Sequence, residues 1–420
     1  MMYNMTIRRR LTAWALAVAL VLCLLPAGII SARASDDASD VILTFSDSGV
    51  TASGENAGVS IEGTTLTVSA AGTYTVTGSC GEGNIVVKKG VTGVKLVLED
   101  LSLACSATAP LSCGKSSSVT LDIQGSVTLT DLENAADEDV SEEFEGAAVK
   151  VKSGASLTIR GSGCLTADGS ACKNGVKGAA CSTVTVNMDG SLVIRAANNG
   201  LAADGEVIVK NGSVSIIAGN EGVKAEPDED DAESAGRVTV SGGTVSIRAQ
   251  SDGIQAEEIV ISGGSFDISA QSDGIQSGGT LTITDGVFDI QTMSGYKSSG
   301  FDSSTMSCKG LKASGDDEDS TCSILIAGGS FTLDTADDAI HSDGTAEIYG
   351  GTFDIHSGDD GVHADTSLTV GAASGLSRDP DITVHYSYEG LESGNVYIQG
   401  GRCSVYATDD GINAAGGSSS

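Results

Sequence analysis

The stretch SGGSFDISAQSDGIQ, residues 262–276, decides how the rest of the chain is read. Phe266, Ile268 and Ala270 alternate with Ser265, Asp267 and Ser269, the period-2 pattern of a strand with one buried face. Gly263-Gly264 before it and Ser272-Asp273-Gly274 after it are turn chemistry. The same phrase then returns: SGGTVSIRA at 241–249, TDGVFDIQT at 284–292, AGGSFTLDT at 327–335, YGGTFDIHS at 349–357 and QGGRCSVYA at 399–407.

A second phrase alternates with the first. It runs NNGLAAD, NEGVKAE, SDGIQAE, SDGIQSG, CKGLKAS, DDAIHSD, DDGVHAD, YEGLESG and DDGINAA, centred on Gly200, Gly222, Gly253, Gly274, Gly310, Ala339, Gly361, Gly390 and Gly411. The shortest steps give a basic unit of 21–22 residues, lengthened elsewhere by insertions. A unit this short cannot bury its own apolar face, but stacked units can. No 3.6-residue periodicity appears in the repeats, and the Leu/Asn pattern of leucine-rich repeats is absent. The expectation is an all-β parallel β-helix with short strands in each coil.

Two apolar columns follow from the alignment. One holds Val214, Val245, Phe266, Phe288, Phe331, Phe353 and Cys403; the other holds Ile254, Ile275, Leu311, Ile340, Val362, Leu391 and Ile412. Strand-turn runs such as TTLTVSAAGTYTVTGS and SSVTLDIQGSVTLTD extend the theme towards the N-terminus, with no Pro- or Ser-rich linker between. Residues 35–420 are therefore read as a single domain, with a less regular cap over about 36–125 and regular repeats over about 126–414.

The chain begins MMYNMTIRRRLTAWALAVALVLCLLPAGIISARAS. Three arginines, an apolar run and Ala32-Arg33-Ala34 make residues 1–34 a secretory signal peptide cut after Ala34. Cys23 follows Val21-Leu22 rather than small residues, which argues against a lipoprotein anchor. Cleavage would remove four of the 23 basic residues and none of the 56 acidic ones, taking the net charge from −33 to −37. Such a surface repels nucleic acid and anionic lipid. It also repels an acidic polysaccharide unless a divalent cation bridges the two. Nine cysteines remain, without zinc-finger spacing; most are expected as small core residues, with one or two disulfides open to an exported protein.

Acids recur where the units turn. Asp337-Asp338 should stack beneath Asp359-Asp360, with Asp409-Asp410 a third pair beyond an intervening Tyr388-Glu389. Alternation then puts His341 with Asp343, and His363 with Asp365, on one outward face. Like charges about 4.8 Å apart repel, and Ca²⁺ binds oxygens at about 2.3–2.6 Å, so the spacing suits calcium. Asp337, Asp338, Asp343, Asp359, Asp360, Asp365, Asp409 and Asp410 are thus the candidate metal ligands. The competing reading is plain Asp-Gly turn chemistry. His341 and His363 share a column with Lys224, Gln255, Gln276, Lys312 and Glu392, which favours exposed side chains over metal ligands. Three acidic insertions, 131–145, 226–234 and 315–320, are read as solvated loops. For substrate, Arg195 and Arg248 occupy equivalent outward positions suited to sugar carboxylates, and His341 and His363 are further candidate substrate contacts. Tyr296, Phe301, Tyr386, Tyr388 and Tyr406 are candidates for sugar stacking, the first two in the insertion SGYKSSGFDSS.

The phrases GTYTVTGS…GNIVV…VKLVLEDLSL, then GAAVKVKSGASLTIRGSG, then repeated GI.A…L.I.GG.F.I units resemble the carbohydrate-binding domain-containing family of exported bacterial proteins. The resemblance covers most of the exported chain. It implies a right-handed parallel β-helix similar to pectate lyases. It also implies binding of plant cell-wall polysaccharide, notably polygalacturonate, with calcium and without catalysis. An enzyme is the alternative, but Gly358-Asp359-Asp360 lacks the GHG and RIK motifs of polygalacturonases, no basic motif of a lyase accompanies the arginines, and no GxSxG occurs. A structural surface or adhesion protein is the third reading.

Overall fold

The computed structural model describes residues 41–54, 58–138, 144–227, 236–315, 321–372 and 379–415. Residues 1–34, which the sequence reading takes as a signal peptide, and the centres of the three acidic insertions lie outside these residues. Those described belong to one compact unit, Ser39–Ser420. They are all-β apart from a single 3-10 turn at Ala135–Asp137. Among them no helix is long and apolar enough to cross a membrane.

The register is the one the repeat phrases dictate. Val214 pairs with Val245, Val245 with Phe266, Phe266 with Phe288, Phe288 with Phe331 and Phe331 with Phe353, all in parallel ladders. Ile382, which the alignment passed over, then stands between Phe353 and Cys403. The second column pairs in sequence from Ile254 to Ile412. A one-residue slip would turn each apolar set outward, so burial locks the pairing. The four phenylalanines stack with centroids 4.6–4.7 Å apart and planes 3° from parallel. Each contributes about 1.5–3 kcal/mol by leaving water. The Gly-Gly turns serve this stack: Gly329 and Gly351 have φ of 108° and 107°, and a Cβ there would come within 3.1 Å of the Phe331 and Phe353 rings.

The all-β class stands, but the right-handed parallel β-helix does not. The hydrogen bonds close a circuit of six parallel strands: Val94–Cys105, Ser118–Gln124, Ser156–Gly161, Thr183–Ala196, Cys164–Gly169 and Ser126–Asp131, back to Val94–Cys105. The result is a closed six-stranded parallel barrel with the other strands outside it. The physical cause is two long strands. VKLVLEDLSLAC (94–105) and TVTVNMDGSLVIRA (183–196) run on where intervening units turn at Gly125 or Gly161. Each therefore joins two ladders that a regular coil would keep apart. Near the N-terminus, Val41–Ser46 with Gly49–Ser53 and Val59–Glu62 with Thr65–Val68 are antiparallel hairpins, a further departure.

Two smaller expectations also change. Cys164 pairs with Ser126 and Ser191 and is only half-buried, because Leu165 is the inward residue of that strand. All nine cysteines of the described residues are free of disulfides, and six are buried. The first acidic insertion is not wholly solvated: Asp131 and Glu133 are 0% and 4% exposed.

Candidate functional site

The acidic column is built from the turns upward. Asn199, Glu221, Asp252, Asp273, Asp338, Asp360 and Glu389 are all buried. Four of them, Asp252, Asp273, Asp338 and Asp360, cap the backbone of the next tier with their carboxylates. Asp252 Oδ1 accepts the N–H of Asp273 at 2.9 Å, Asp273 Oδ1 that of Lys309 at 2.7 Å, Asp338 Oδ1 that of Asp360 at 2.9 Å, and Asp360 Oδ1 that of Glu389 at 3.1 Å. A buried backbone N–H left unpaired costs about 1–3 kcal/mol, so the column has a structural role in these four tiers.

A second column, three residues on, supplies donors to the free carboxylate oxygens. Lys312 Nζ lies 3.0 Å from Asp273, and Asn413 donates to Glu389 at 2.8 Å. His341 bridges Asp338 (Nδ1, 2.8 Å) and Asp343 (Nε2, 2.9 Å). His363 repeats this with Asp360 (3.1 Å) and Asp365 (3.0 Å), and its Nδ1 is also 3.1 Å from Glu392. The two rings stack at 4.9 Å. Both nitrogens of each ring therefore face carboxylates, and Asp338, His341 and His363, like Asp360, His363 and Glu392, bring one possible ligand atom each within 4.8 Å of one another.

Charge follows from this packing. The hydrogen bond to Asp360, with help from Asp338, Asp365 and Glu392, raises His363 to about 9. Asp360 is pulled both ways: burial, with Asp338 beside it, raises it to about 7 although His363 opposes. The direction that governs the pair is a protonated His363 among three carboxyl groups. Burial raises Asp252 to about 7, reinforced by Asp273. Burial also pushes Asp338 up, but His341 and Lys309 outweigh it and hold the group low.

Asp337, Asp338 and Asp359 come together with oxygens within 4.8 Å of one another, as the stacking argument expects. Hard oxygens are the right donors for Ca²⁺. Yet Lys309 Nζ lies 2.5 Å from Asp337 and 3.4 Å from Asp338. The ammonium already supplies the positive charge, so this donor set fits calcium only if Lys309 swings away. Asp343 and Asp365 partner histidines, and Asp409 and Asp410 are exposed at the far end without joining the cluster. Arg195 and Arg248 are both exposed but not adjacent: Ile217 stands between them, and Arg248 is held by Asp267 at 2.8 Å.

A different surface assembles what the sequence scattered. The insertion after Val287–Thr292 folds back so that Tyr296 lies 5.0 Å from both His356 and Tyr386. His356 stacks on His385 at 5.0 Å. Asp334 anchors the insertion: it accepts the Tyr296 N–H at 2.9 Å and the Gln291 amide at 3.1 Å. Gly295 makes this approach possible, with φ of 77° and a would-be Cβ only 2.2 Å from both Asp334 oxygens. Lys297 Nζ sits 4.7 Å over the Tyr296 ring. A register shift after Ile355 in the pairing with Asp381–Ser387 turns both His385 and Tyr386 outward. Bulges re-aim side chains in this way. Of these residues, only Tyr296 and Tyr386 are candidates from the sequence, as exposed aromatics; the signal for His385 is VHYSY (384–388), where strict alternation fails. Tyr388 stands apart, 51% exposed and paired with Asp409.

These features belong to an all-β scaffold. The chain matches the carbohydrate-binding domain-containing protein family over residues 62–261 and 257–361, and it belongs to that family. Among solved structures it is similar to a polysaccharide lyase-like protein from C. thermocellum, determined as a gadolinium derivative. That match has 25% identity and a TM-score of 0.46, covering 55% of this chain and 91% of the other, and is too loose to argue from. No curated protein matches this chain significantly.

Proposed function

We propose that this protein is an exported, non-catalytic binder of cell-wall polysaccharide, and that the polymer lies across Tyr296, His356, Tyr386 and His385. The observation that carries the reading is the four-ring surface built by the insertion and the bulge. A pyranose presents a C–H face that lies flat on aromatic rings, whose polar tips stay available to its hydroxyls. Lys297 and Asp334 stand at the edge for such hydrogen bonds. Family membership supports carbohydrate as the ligand class. Export rests on the signal-like residues 1–34.

Absence of catalysis is supported by the state of the paired acids. Asp338 and Asp360 are buried and committed to backbone N–H groups and histidines, whereas glycoside hydrolysis needs two carboxyl groups flanking an accessible bond. A second reading, favoured by the Asp337–Asp338–Asp359 cluster, has calcium bridge the protein to an acidic polymer such as polygalacturonate. It requires Lys309 to move.

Affinity electrophoresis and calorimetry against polygalacturonate and neutral cell-wall glucans, with and without EDTA, test these readings. Binding that vanishes in Tyr296→Ala supports the ring surface; binding unchanged in that variant overturns it. Equal affinity with and without EDTA removes the calcium bridge. Release of reducing or unsaturated ends at high protein concentration would establish an enzyme instead.

A further inference from the structure

We propose that Asp131, Glu133 and Cys172 form a buried site for a zinc-class divalent cation. Asp131 ends the strand Ser126–Asp131, Glu133 follows two residues later, and Cys172 comes from the turn after Cys164–Gly169. One ligand atom of each lies within 4.8 Å of the others. The residues are 0%, 4% and 6% exposed, so the group is enclosed rather than a solvated acidic corner.

A second observation points at a ligand. Asp131 Oδ1 accepts the Glu133 N–H at 2.8 Å, but Asp131 Oδ2, on a wholly buried side chain, makes no hydrogen bond of good geometry and has the Cys172 thiol as its neighbour. An unpaired buried carboxylate oxygen is costly. Glu133 is fixed by the N–H of Glu145, shared between Oε1 (3.0 Å) and Oε2 (3.3 Å), and by that of Gly146 on Oε2 (2.9 Å), which keep it oriented while Oε1 retains a lone pair.

The donor set selects the ion. A thiolate with two carboxylates suits a borderline-soft cation, whereas calcium prefers oxygen alone. Two ligands of one zinc ion lie roughly 3.5 Å apart given its bond lengths, so the three atoms need draw in only slightly. Without a cation, burial raises Asp131 and Glu133, and burial with Asp131 alongside pushes the Cys172 thiol to about 12. Binding would therefore release the thiol proton and any carboxyl proton to solvent, with no change of oxidation state. The site is independent of the carbohydrate reading, because it lies at the ends of two barrel strands and not among the four rings.

Cobalt(II) titration of the metal-stripped full chain under reducing conditions tests this. The expected result is one equivalent bound with a sulfur-to-cobalt charge-transfer absorption, displaced by Zn²⁺. The absorption should be absent in Cys172→Ser and retained in Cys403→Ser. Asp131→Asn should bind at least tenfold more weakly, and it decides the matter if Cys172→Ser fails to fold. No absorption in the native chain, its persistence in Cys172→Ser, or unchanged affinity in Asp131→Asn would overturn the proposal and leave a thiol beside a neutral buried carboxyl group.

Discussion

Asp338 Oδ1 accepts the backbone N–H of Asp360 at 2.9 Å, and the two acids are 22 residues apart in sequence. The bond joins equivalent points of successive tiers, and the acid that donates it repeats the role towards Glu389. Stacked carboxylates that would repel one another are held by backbone N–H on one oxygen and by His or Lys on the other.

Breaking one link should be felt as lost stability. Asp360→Ala orphans the Glu389 N–H and strips His363 of its buried partner. A loss of about 1–3 kcal/mol is expected, read as a lower midpoint in urea at unchanged slope. Asp360→Asn, which keeps an acceptor, should lose less.

The shifted groups set a pH dependence with a definite sign. His363 is raised from 6.5 to about 9, so its contribution is complete below 6.5 and fades as pH rises through 9. Asp252 is raised from 3.8 to about 7, so the folded chain favours its neutral form and loses stability as pH rises towards and through 7. Both act in one direction: from these groups, stability should fall between about pH 5 and pH 9. Asp252→Asn should flatten the lower part of that slope. A thermal-unfolding profile equally steep in Asp252→Asn between pH 5 and 7 would show that Asp252 does not titrate there.

The ring surface should be sensitive to truncation without being structural. Tyr296→Ala and Tyr386→Ala are each expected to weaken polysaccharide binding about 5- to 30-fold, equivalent to roughly 1–2 kcal/mol. Their unfolding temperatures should stay close to that of the native chain. Gly295→Ala should weaken binding as well, because the new methyl collides with Asp334 and lifts the insertion.

Lys309 decides between ammonium and calcium at the acid cluster. Lys309→Met removes the charge that Asp337 and Asp338 share. The variant should unfold at lower temperature in EDTA and recover when millimolar calcium is added. Failure of calcium to restore it would show that the cluster is an ion pair and nothing more.

The phenylalanine stack should behave as a core. Phe331→Ala leaves a cavity between Phe288 and Phe353 and is expected to cost about 3–5 kcal/mol, with Phe331→Leu costing less. Both are measured by chemical denaturation.

How much of this was legible beforehand depends on the range of the interaction. Alternation and the 21–22-residue repeat were enough to place Phe266, Phe288, Phe331 and Phe353 in one column and Ile340 over Val362, because side-chain direction in a strand is local and repeated burial locks the register. The acids of DDAIHSD and DDGVHAD were legible as stacked pairs for the same reason. Other features depended on three dimensions. Closure of six strands into a barrel arose because Val94–Cys105 and Thr183–Ala196 each reach two ladders, a fact about where strands end rather than what they contain. The compensation of Asp337 and Asp338 by Lys309 needed a partner about a tier away. Tyr296 met Tyr386, 90 positions further along the chain, only once the insertion had folded back onto Asp334 and a bulge had turned Tyr386 outward. Local periodicity determined the strands and their register; long-range contacts, which no period encodes, decided the closure and the surface that the ligand would meet.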